Sequence, residues 1–254
     1  MKLQLLRNAT LKIDYAGSTI LIDPDLAPKH SRPSFTGRSP NPMTDLPVAA
    51  SDIIADVDFV IVSHLHADHF DKVAQDMLPK HLPLVCQPGD EDKIRSFGFL
   101  DVTPLYDDLT IDGIYLKRCE GNHGSGPVLD KMGSVMGFTI EGEGEASIYW
   151  AGDTILYPPV RAAIEEIVPE IIITHSCGAK WDDVLIVMDA EQTVELCESA
   201  APSARVIAVH MEALDHATVS RSDLRAYAND RAIDKHRLII PDDGEVLHLT
   251  ASSS

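Results

Sequence analysis

The sequence predicts an α/β domain in which buried strands alternate with helices. Apolar runs such as Phe59–Val62 and Ile171–Thr174 have the length of buried strands. Segments with helix cap or stop residues follow several of these runs. Histidine or aspartate stands directly after several strands, where an α/β fold gathers side chains at one edge of a sheet. With 254 residues, we expect one domain over residues 1–250 and a disordered tail over 251–254.

The N-terminal part is predicted to contain a hairpin and a long loop. Residues Gln4–Ile22 have alternating apolar positions and are predicted to form two short strands with a turn at Ala16–Ser18. Ala27–Ala49 holds five prolines and no steady hydrophobic period, which indicates a long ordered loop. This loop is either a lid or wall over a functional site or a surface excursion.

The remaining elements alternate in type along the chain. Further strands are predicted over Leu84–Cys86, Asp101–Leu105, Leu109–Ile111, Ile114–Arg118, Val135–Ile140, Ser147–Trp150, Val206–Val209, Leu238–Ile240 and Val246–Leu249. Helices are predicted over Phe70–Leu78, Glu91–Phe97, Pro159–Ile167, Ala190–Ala200 and from Ser220 or Ser222 toward Asn229. The repeated order of strand, polar residue and helix indicates a layered fold.

Composition excludes several classes of function. The formal charge is −19, from 40 acidic and 21 basic residues, so a phosphate-binding surface for nucleic acid is not expected. No apolar run reaches membrane-spanning length, and no signal-peptide pattern occurs, so we expect a cytoplasmic protein without a membrane partner. The four cysteines form no C-x-x-C pair, which fits a reducing compartment.

The densest chemical motif is His64-x-His66-x-Asp68-His69, which follows the strand Phe59–Val62 directly. Alternate side chains of an extended segment face the same way, so His64 and His66 can bind one cation. Asp68 and His69, at the turn that follows, can face a second cation. The motif therefore predicts a metal site with room for two adjacent ions.

Four more candidate residues follow later predicted strands. They are His123 in a Gly-rich turn, Asp153 in Gly-Asp-Thr, His175 after Ile171–Thr174, and His210 after Val206–Val209. Strand ends of an α/β fold open onto one edge, where residues that are distant in sequence converge. We expect these side chains to meet the His64 motif.

In this order, the motifs resemble those of the metallo-β-lactamase superfamily, and the resemblance covers nearly the whole chain. It implies a four-layer αβ/βα sandwich with two packed sheets, outer helices and the metals at one edge. Asn8–Thr10, Leu21–Pro24 and Val187–Ala190 are also similar to the compact, ascorbate-6-phosphate-lactonase-like branch. The narrower likeness implies a small ester or lactone as substrate.

The resemblance also implies a role for each residue. His64, His66 and His123 would bind the first metal, Asp68, His69 and His210 the second, and Asp153 would bridge both. His210 is preferred to His216 because it follows a buried strand, and His216 is kept as a residue that contacts substrate or supports a ligand. His175 is expected either to contact substrate or support a ligand, as His216 is, or to have a purely structural role.

The mechanistic hypothesis is a metal-dependent hydrolase in which a hydroxide held by two metal ions attacks a small ester, lactone or phosphoester. Asp68 would pass a proton toward the leaving group. Two zinc ions per chain are expected, with manganese or iron as alternatives. The basic loop residues Lys29, Arg32 and Arg38 favour an anionic substrate, unless they only face solvent. An iron-dependent oxidoreductase on the same fold is the alternative function, and an oligomer is left open.

Overall fold

Two seven-stranded β-sheets form the centre of the computed structural model, which describes residues 1–251. The first sheet contains β1 (Lys2–Arg7), β2 (Thr10–Tyr15), β3 (Ser18–Ile22), β4 (Phe59–Val62), β5 (Leu84–Cys86), β6 (Val102–Pro104) and β16 (Val246–His248). The second contains β7 (Asp108–Ile111), β8 (Ile114–Gly121), β9 (Val135–Glu141), β10 (Ile148–Trp150), β11 (Ile171–His175), β14 (Arg205–Val209) and β15 (Leu238–Ile239). A separate hairpin contains β12 (Lys180–Trp181) and β13 (Val184–Leu185).

Both sheets combine an antiparallel half with a parallel half. The first has the order β16-β1-β2-β3-β4-β5-β6, and its strands run parallel from β3 to β6. The second has the order β15-β14-β11-β10-β9-β8-β7, and its strands run parallel from β10 to β15. Parallel strands end at the same edge of a sheet, so the residues that follow β10, β11 and β14 lie close together.

The described residues form seven α-helices, most of which cover the outer face of a sheet. They are α1 (Ala50–Ile54), α2 (Lys72–Met77), α3 (Glu91–Ser96), α4 (Leu129–Met132), α5 (Pro158–Ile167), α6 (Ala190–Ser199) and α7 (Arg221–Asp230). In β4, Phe59 and Ile61 face the second sheet, whereas Val60 and Val62 pack toward α1, α2 and α3. On the other side, α5, α6 and α7 pack on the outer face of the second sheet. The four-layer αβ/βα sandwich is confirmed.

Local signals set the starts of three helices. The Asp71 side chain accepts a hydrogen bond from the backbone N–H of Ala74, and Asp189 accepts one from Gln192. Ser220, rather than Ser222, caps α7 and forms a reciprocal capping box with Asp223. Each cap satisfies backbone donors that the first helical turn leaves without partners.

The structure corrects several predicted boundaries. Gln4–Ile22 lies within three strands rather than two, because the chain also turns at Asn8, which has the left-handed φ of 57°. The helix α5 begins at Pro158, one residue earlier than predicted, and ends at Ile167 as predicted, where Val168 follows with a left-handed φ of 50°. The short helices α1 and α4 and the hairpin β12–β13 were not predicted, since so few residues carry little periodic signal.

The prediction of one domain over residues 1–250 stays a prediction. Residues 252–254 of the predicted tail lie outside the described residues. No helix within residues 1–251 is long and apolar enough to cross a membrane. The cysteines Cys86, Cys119, Cys177 and Cys197 are all free thiols.

Candidate metal centre

The candidate ligands converge at the edge where the two sheets expose their strand ends. His64, His66, Asp68 and His69 follow β4, His123 follows β8, Asp153 follows β10, His175 ends β11 and His210 follows β14. All are buried except His66, which is partly exposed. The fold thus brings together every residue that the sequence placed in the metal site.

Their donor atoms form two groups that share Asp153. One group contains His64, His66, His123 and Asp153, and the other contains His69, Asp153, His175 and His210. Within each group, the candidate donor atoms lie within 4.8 Å of one another. Asp68 lies beside the second group. This pairing has the form of two neighbouring cation positions with a common carboxylate.

The spacing of the donor atoms fits direct coordination. Bonds of 2.0–2.2 Å to a tetrahedral cation keep its ligand atoms roughly 3.3 Å apart. Asp153 Oδ2 lies 3.2 Å from His69 Nε2 and 3.3 Å from His123 Nε2. Asp68 Oδ2 lies 3.1 Å from His210 Nε2 and 3.4 Å from His69 Nε2. His64 Nε2 is buried without a hydrogen-bond partner among the described residues, as a metal ligand would be in the apoprotein.

A buried carboxylate behind the centre fixes which ring nitrogen carries the proton in two histidines. Ser63 donates its hydroxyl proton to Asp23 Oδ2 over 2.6 Å, and His69 Nδ1 donates to the same oxygen over 2.7 Å. Since the Ser63 hydroxyl has only one proton, its oxygen accepts from His64 Nδ1 over 3.0 Å. Both Nε2 atoms are therefore left free to bind cations.

Backbone contacts orient two further ligands. His123 Nδ1 donates to the Ile186 carbonyl oxygen over 2.8 Å, which also leaves its Nε2 free. His210 has a φ of 60°, which is uncommon for a residue other than glycine, and its N–H donates to the Asn8 carbonyl over 2.8 Å. The Asn8 side chain donates to the Asp68 carbonyl over 3.1 Å. Asn8 thus links the two candidate ligands Asp68 and His210.

The electrostatics keep both carboxylates ionised. Burial raises the pKa of Asp153, but His210 and His69 more than offset this and hold it well below its usual range. Burial likewise raises the pKa of Asp68, and His69 and His210 lower it further than burial raises it. Burial lowers the pKa of His64 and His123 below the usual histidine value. Burial acts to lower the pKa of His69 and His210 as well, but Asp153 raises both well above the usual histidine value, so a cation in the second group would displace protons from these two rings.

A cavity of about 460 Å³ leads to these residues. His66, Asp68, His123 and Asp153 line it together with His216. The remaining walls are largely apolar, and they are formed by Phe35, Met132, Trp181 and Ile186, with Thr36, Ala67, Lys131, Lys180 and Asp182 completing the lining. The cavity therefore combines a polar inner end with apolar sides.

The loop Ala27–Ala49 contributes a wall of this cavity through Phe35 and Thr36. Asp215 holds that part of the loop: it accepts hydrogen bonds from the backbone N–H of Phe35 over 2.9 Å and from Asn41 Nδ2 over 2.9 Å. The hydroxyl of Thr36 donates to the same carboxylate over 2.6 Å. The interpretation of the loop as a pocket wall therefore agrees with the structure.

The basic loop residues Lys29, Arg32 and Arg38 do not line the cavity, so the expectation that they attract an anionic substrate stays a prediction. Arg32 makes a bidentate ion pair with Asp25, with distances of 2.7 and 2.8 Å. Lys29 and Arg38 are exposed outside the cavity. The charge of these residues is evident from the sequence, whereas the ion pair of Arg32 with Asp25 is not.

His216 and His175 occupy different places. His216 lines the cavity, its ring centroid lies 5.1 Å from that of Phe35, and its Nδ1 is buried without a partner among the described residues. His175 lies behind Asp153 and does not line the cavity. Neither Asp23 nor Asp215 was predicted as a functional residue, although Asp23 lies in the Leu21–Pro24 stretch that carries part of the family resemblance.

Comparison with known proteins gives the family. Residues 18–211 match the family model described as the β-lactamase superfamily domain. Over 251 residues the chain is 36% identical to UPF0173 protein YddR from Bacillus subtilis strain 168, an alignment that covers 96% of this chain and 98% of that protein. The chain belongs to the metallo-β-lactamase superfamily. The assignment of individual residues as metal ligands stays a prediction.

Two solved structures are similar over nearly their full length. A possible metal-dependent hydrolase from Veillonella parvula DSM 2008 is 35% identical, with a TM-score of 0.93, and the match covers 98% of this chain and 99% of that one. An isothiocyanate hydrolase from Delia radicum gut bacteria is 34% identical, with a TM-score of 0.91, and the match covers 99% and 100%. The narrower lactonase-like resemblance stays a prediction.

Proposed function

We propose that this metal-dependent hydrolase uses two cations to add water to a small electrophile with an apolar substituent, and that an organic isothiocyanate is its preferred substrate. The observation that carries the proposal is the carboxylate of Asp153, which is shared by two groups of candidate ligands and lines the cavity. The similarity to an isothiocyanate hydrolase over the whole chain supports the choice of substrate. The apolar walls support the apolar substituent.

The chain supplies a nitrogen-rich set of ligands, which suits zinc and also tolerates manganese or iron. In the proposed assignment, His64, His66 and His123 hold one cation, Asp68, His69 and His210 hold the other, and Asp153 contacts both. When bound, such a pair of cations lowers the pKa of water and polarises the electrophilic group of the substrate. The apolar walls of the cavity would contact the apolar substituent.

Asp68 is the proposed proton carrier. Its Oδ2 faces the nitrogen atoms of His69 and His210, whereas Oδ1 has no hydrogen-bond partner within the described part of the chain. Asp68 lines the cavity, so this oxygen is placed to accept a proton from the attacking water. It then passes this proton to the nitrogen atom of the substrate.

The reaction balances with water alone. The oxygen of water bonds to the central carbon of R–N=C=S, one of its protons goes to nitrogen and the other to sulfur, which gives a thiocarbamic acid, R–NH–C(=O)–SH. The C–N bond then breaks as the proton on sulfur moves to nitrogen, and an amine and carbonyl sulfide are released. No oxidant or reductant is consumed.

Esters and lactones present a similar electrophilic carbon and remain candidate substrates. A phosphoester fits the cavity less well because its charge would meet largely apolar walls. Of the two lysines that line the cavity, Lys131 is already paired with Asp182 over 2.8 Å. The apolar walls therefore favour an uncharged substrate over the anionic one suggested by the sequence.

The test is a hydrolysis screen of the metal-loaded protein with benzyl isothiocyanate, a lactone, a simple ester and a phosphodiester. We expect amine release from benzyl isothiocyanate, loss of activity on chelation, and recovery when zinc is returned. Asp68→Asn should lower kcat by about 10²- to 10⁴-fold. The matched control is Asp76→Asn, which changes an exposed residue of α2 that lies outside the cavity.

Metal analysis separates the outcomes. Two colourless zinc ions per chain, together with hydrolysis of any neutral substrate, would support the proposed chemistry. If only esters are hydrolysed, the two-cation chemistry stands but the proposed isothiocyanate substrate is wrong. Full activity after complete metal removal would refute the proposal. Coloured iron with oxygen uptake would instead support the alternative oxidoreductase.

A further inference from the structure

His175 makes a contact with Asp153 that differs from all the other contacts in the centre. It is the last residue of β11 and is fully buried. Its Nδ1 lies 2.6 Å from Asp153 Oδ1. The edge of its ring packs against Trp150, with centroids 4.9 Å apart and planes at 84°, so the orientation of the imidazole is fixed by packing.

This distance is that of a hydrogen bond rather than of two ligands on one cation. Ligand atoms of a tetrahedral site lie roughly 3.3 Å apart, and the Asp153 Oδ2 distances to His69 and His123 match this spacing. A separation of 2.6 Å would require a much narrower angle at the metal. It is instead typical of a strong hydrogen bond between an N–H and a carboxylate.

The other ring nitrogen supports the same conclusion. His175 Nε2 is buried and has no partner among the described residues, as is also true of His64 Nε2. The two rings differ in which nitrogen approaches the shared carboxylate: Nε2 of His64 lies 3.9 Å from Asp153 Oδ2, whereas it is Nδ1 of His175 that contacts Asp153. If Nδ1 bound a metal, the ring proton would sit on Nε2 and form a buried N–H without an acceptor, which is rare in folded proteins. If Nδ1 carries the proton, Nε2 is only a bare acceptor, and Asp153 satisfies the single donor of the ring.

We propose that His175 is a positioning residue that donates its Nδ1 proton to Asp153 Oδ1 and so directs Asp153 Oδ2 toward the two cations. This role rests on the proposed metal centre. It assigns the two oxygens of the shared carboxylate to different tasks. Oδ1 is held by His175 and lies 3.6 Å from His210 Nε2, whereas Oδ2 lies closer to one ligand nitrogen of each group, at 3.2 Å from His69 Nε2 and 3.3 Å from His123 Nε2. The usual ligand set implied by the family resemblance does not include this histidine.

The experiment compares His175→Asn, His175→Leu and His69→Asn. The side-chain amide of asparagine places an N–H close to the position of histidine Nδ1, so it can still donate to Asp153, whereas leucine cannot. For each purified variant, zinc affinity is measured by competition with a chromophoric chelator, and the cobalt-substituted protein is examined by visible absorption. Circular dichroism confirms that each variant is folded.

We expect His175→Leu to bind zinc about 10- to 100-fold more weakly than the wild type, because metal sites typically lose that much affinity when a residue that orients a ligand is removed. His175→Asn should stay within roughly threefold of the wild type and keep its cobalt spectrum, because the donor is retained. His69→Asn, which removes a proposed ligand, should lose one cation. In the metal-loaded wild type, anomalous diffraction should place both cations more than roughly 3 Å from His175 Nδ1.

The outcomes are distinct. If His175→Asn loses a cation as His69→Asn does, or if a cation lies within bonding distance of Nδ1, His175 is a ligand and the positioning role is refuted. If His175→Leu binds zinc as the wild type does, the role is also refuted. A wild-type protein that binds no cation would refute the proposed function together with this role. Should the variants fail to fold, the diffraction experiment on the wild type decides the question.

Discussion

Replacing Asp215 by asparagine should loosen the loop that forms one wall of the cavity. The carboxylate is buried and accepts hydrogen bonds from Ser34, Phe35, Thr36 and Asn41. Asparagine keeps the shape of the side chain but removes the charge and converts one acceptor into a donor. At least one N–H or O–H group of the loop would then face the NH₂ group of the new asparagine instead of an acceptor.

The magnitude follows from the bonds that are lost. A hydrogen bond to a charged group contributes about 1.5–3 kcal/mol, and the other bonds weaken when the acceptor becomes neutral. We therefore expect the free energy of unfolding to fall by about 3 kcal/mol. For a chain of this size, that loss corresponds to a decrease in Tm of roughly 6–12 °C.

The effect should also depend on pH. Burial acts to raise the pKa of Asp215, but the hydrogen bonds from Ser34, Thr36 and Asn41 hold it well below its usual range. A carboxyl whose pKa is lowered by folding stabilises the protein above its unfolded pKa of about 3.9, and this stabilisation is lost as the pH falls below that value. The difference between wild type and Asp215→Asn should therefore be full at pH 7 and shrink below about pH 4.

Urea unfolding at pH 7, 5 and 3.5 measures this difference, and hydrogen exchange of residues 34–41 reports the loop itself. The matched control is Asp45→Asn, which removes the same charge from an exposed position in the same loop. It should change the free energy of unfolding by less than about 0.5 kcal/mol. Equal stability of Asp215→Asn and the control, with unchanged loop exchange, would refute the reasoning.

Three further predictions concern the metal centre. Asp23→Asn should weaken zinc binding about 10- to 100-fold, because it disrupts the hydrogen bond that orients His69; an unchanged affinity in chelator competition would contradict this. Gly152→Ala should cost more stability in urea than Gly144→Ala, by roughly 1–3 kcal/mol. Both glycines have positive φ, but only at Gly152 would the added Cβ lie 3.0 Å from the Met136 carbonyl. Removing zinc with a chelator should lower Tm, because free zinc at 100 times the Kd of a site stabilises the folded protein by about 2.7 kcal/mol for each site. Equal Tm values for the apoprotein and the zinc-loaded protein would show that the folded chain does not bind zinc.

Much of the fold could be predicted from local patterns. Phe59–Val62 and Val206–Val209 are continuous apolar runs that are buried on both faces, so their period and length identify them as strands of layered sheets. The start of the helix α6 is also a local signal, because the cap residue Asp189 and its partner Gln192 lie only three residues apart. The turn at Asn8 was missed because its left-handed backbone interrupts an otherwise regular alternation of apolar residues.

The candidate ligands could be named from the sequence because a metal site needs specific side chains at strand ends, and strand ends can be located. The order His64 to His69, His123, Asp153 and His210 was sufficient to indicate two cations. The partners of those residues could not be named in the same way. Asp23 lies 46 positions from His69, and nothing in the local pattern of either residue reveals the contact.

The sequence by itself determined the fold class, the family and the identity of the candidate metal ligands, since these depend on short-range periodicity and on motifs within a few residues. Only the tertiary structure decided that Arg32 pairs with Asp25, that Asp215 anchors the cavity wall, and that His175 holds Asp153. Those contacts join residues from separate elements. Their distances and proton positions are set by how the two sheets and their loops pack, which no local pattern encodes.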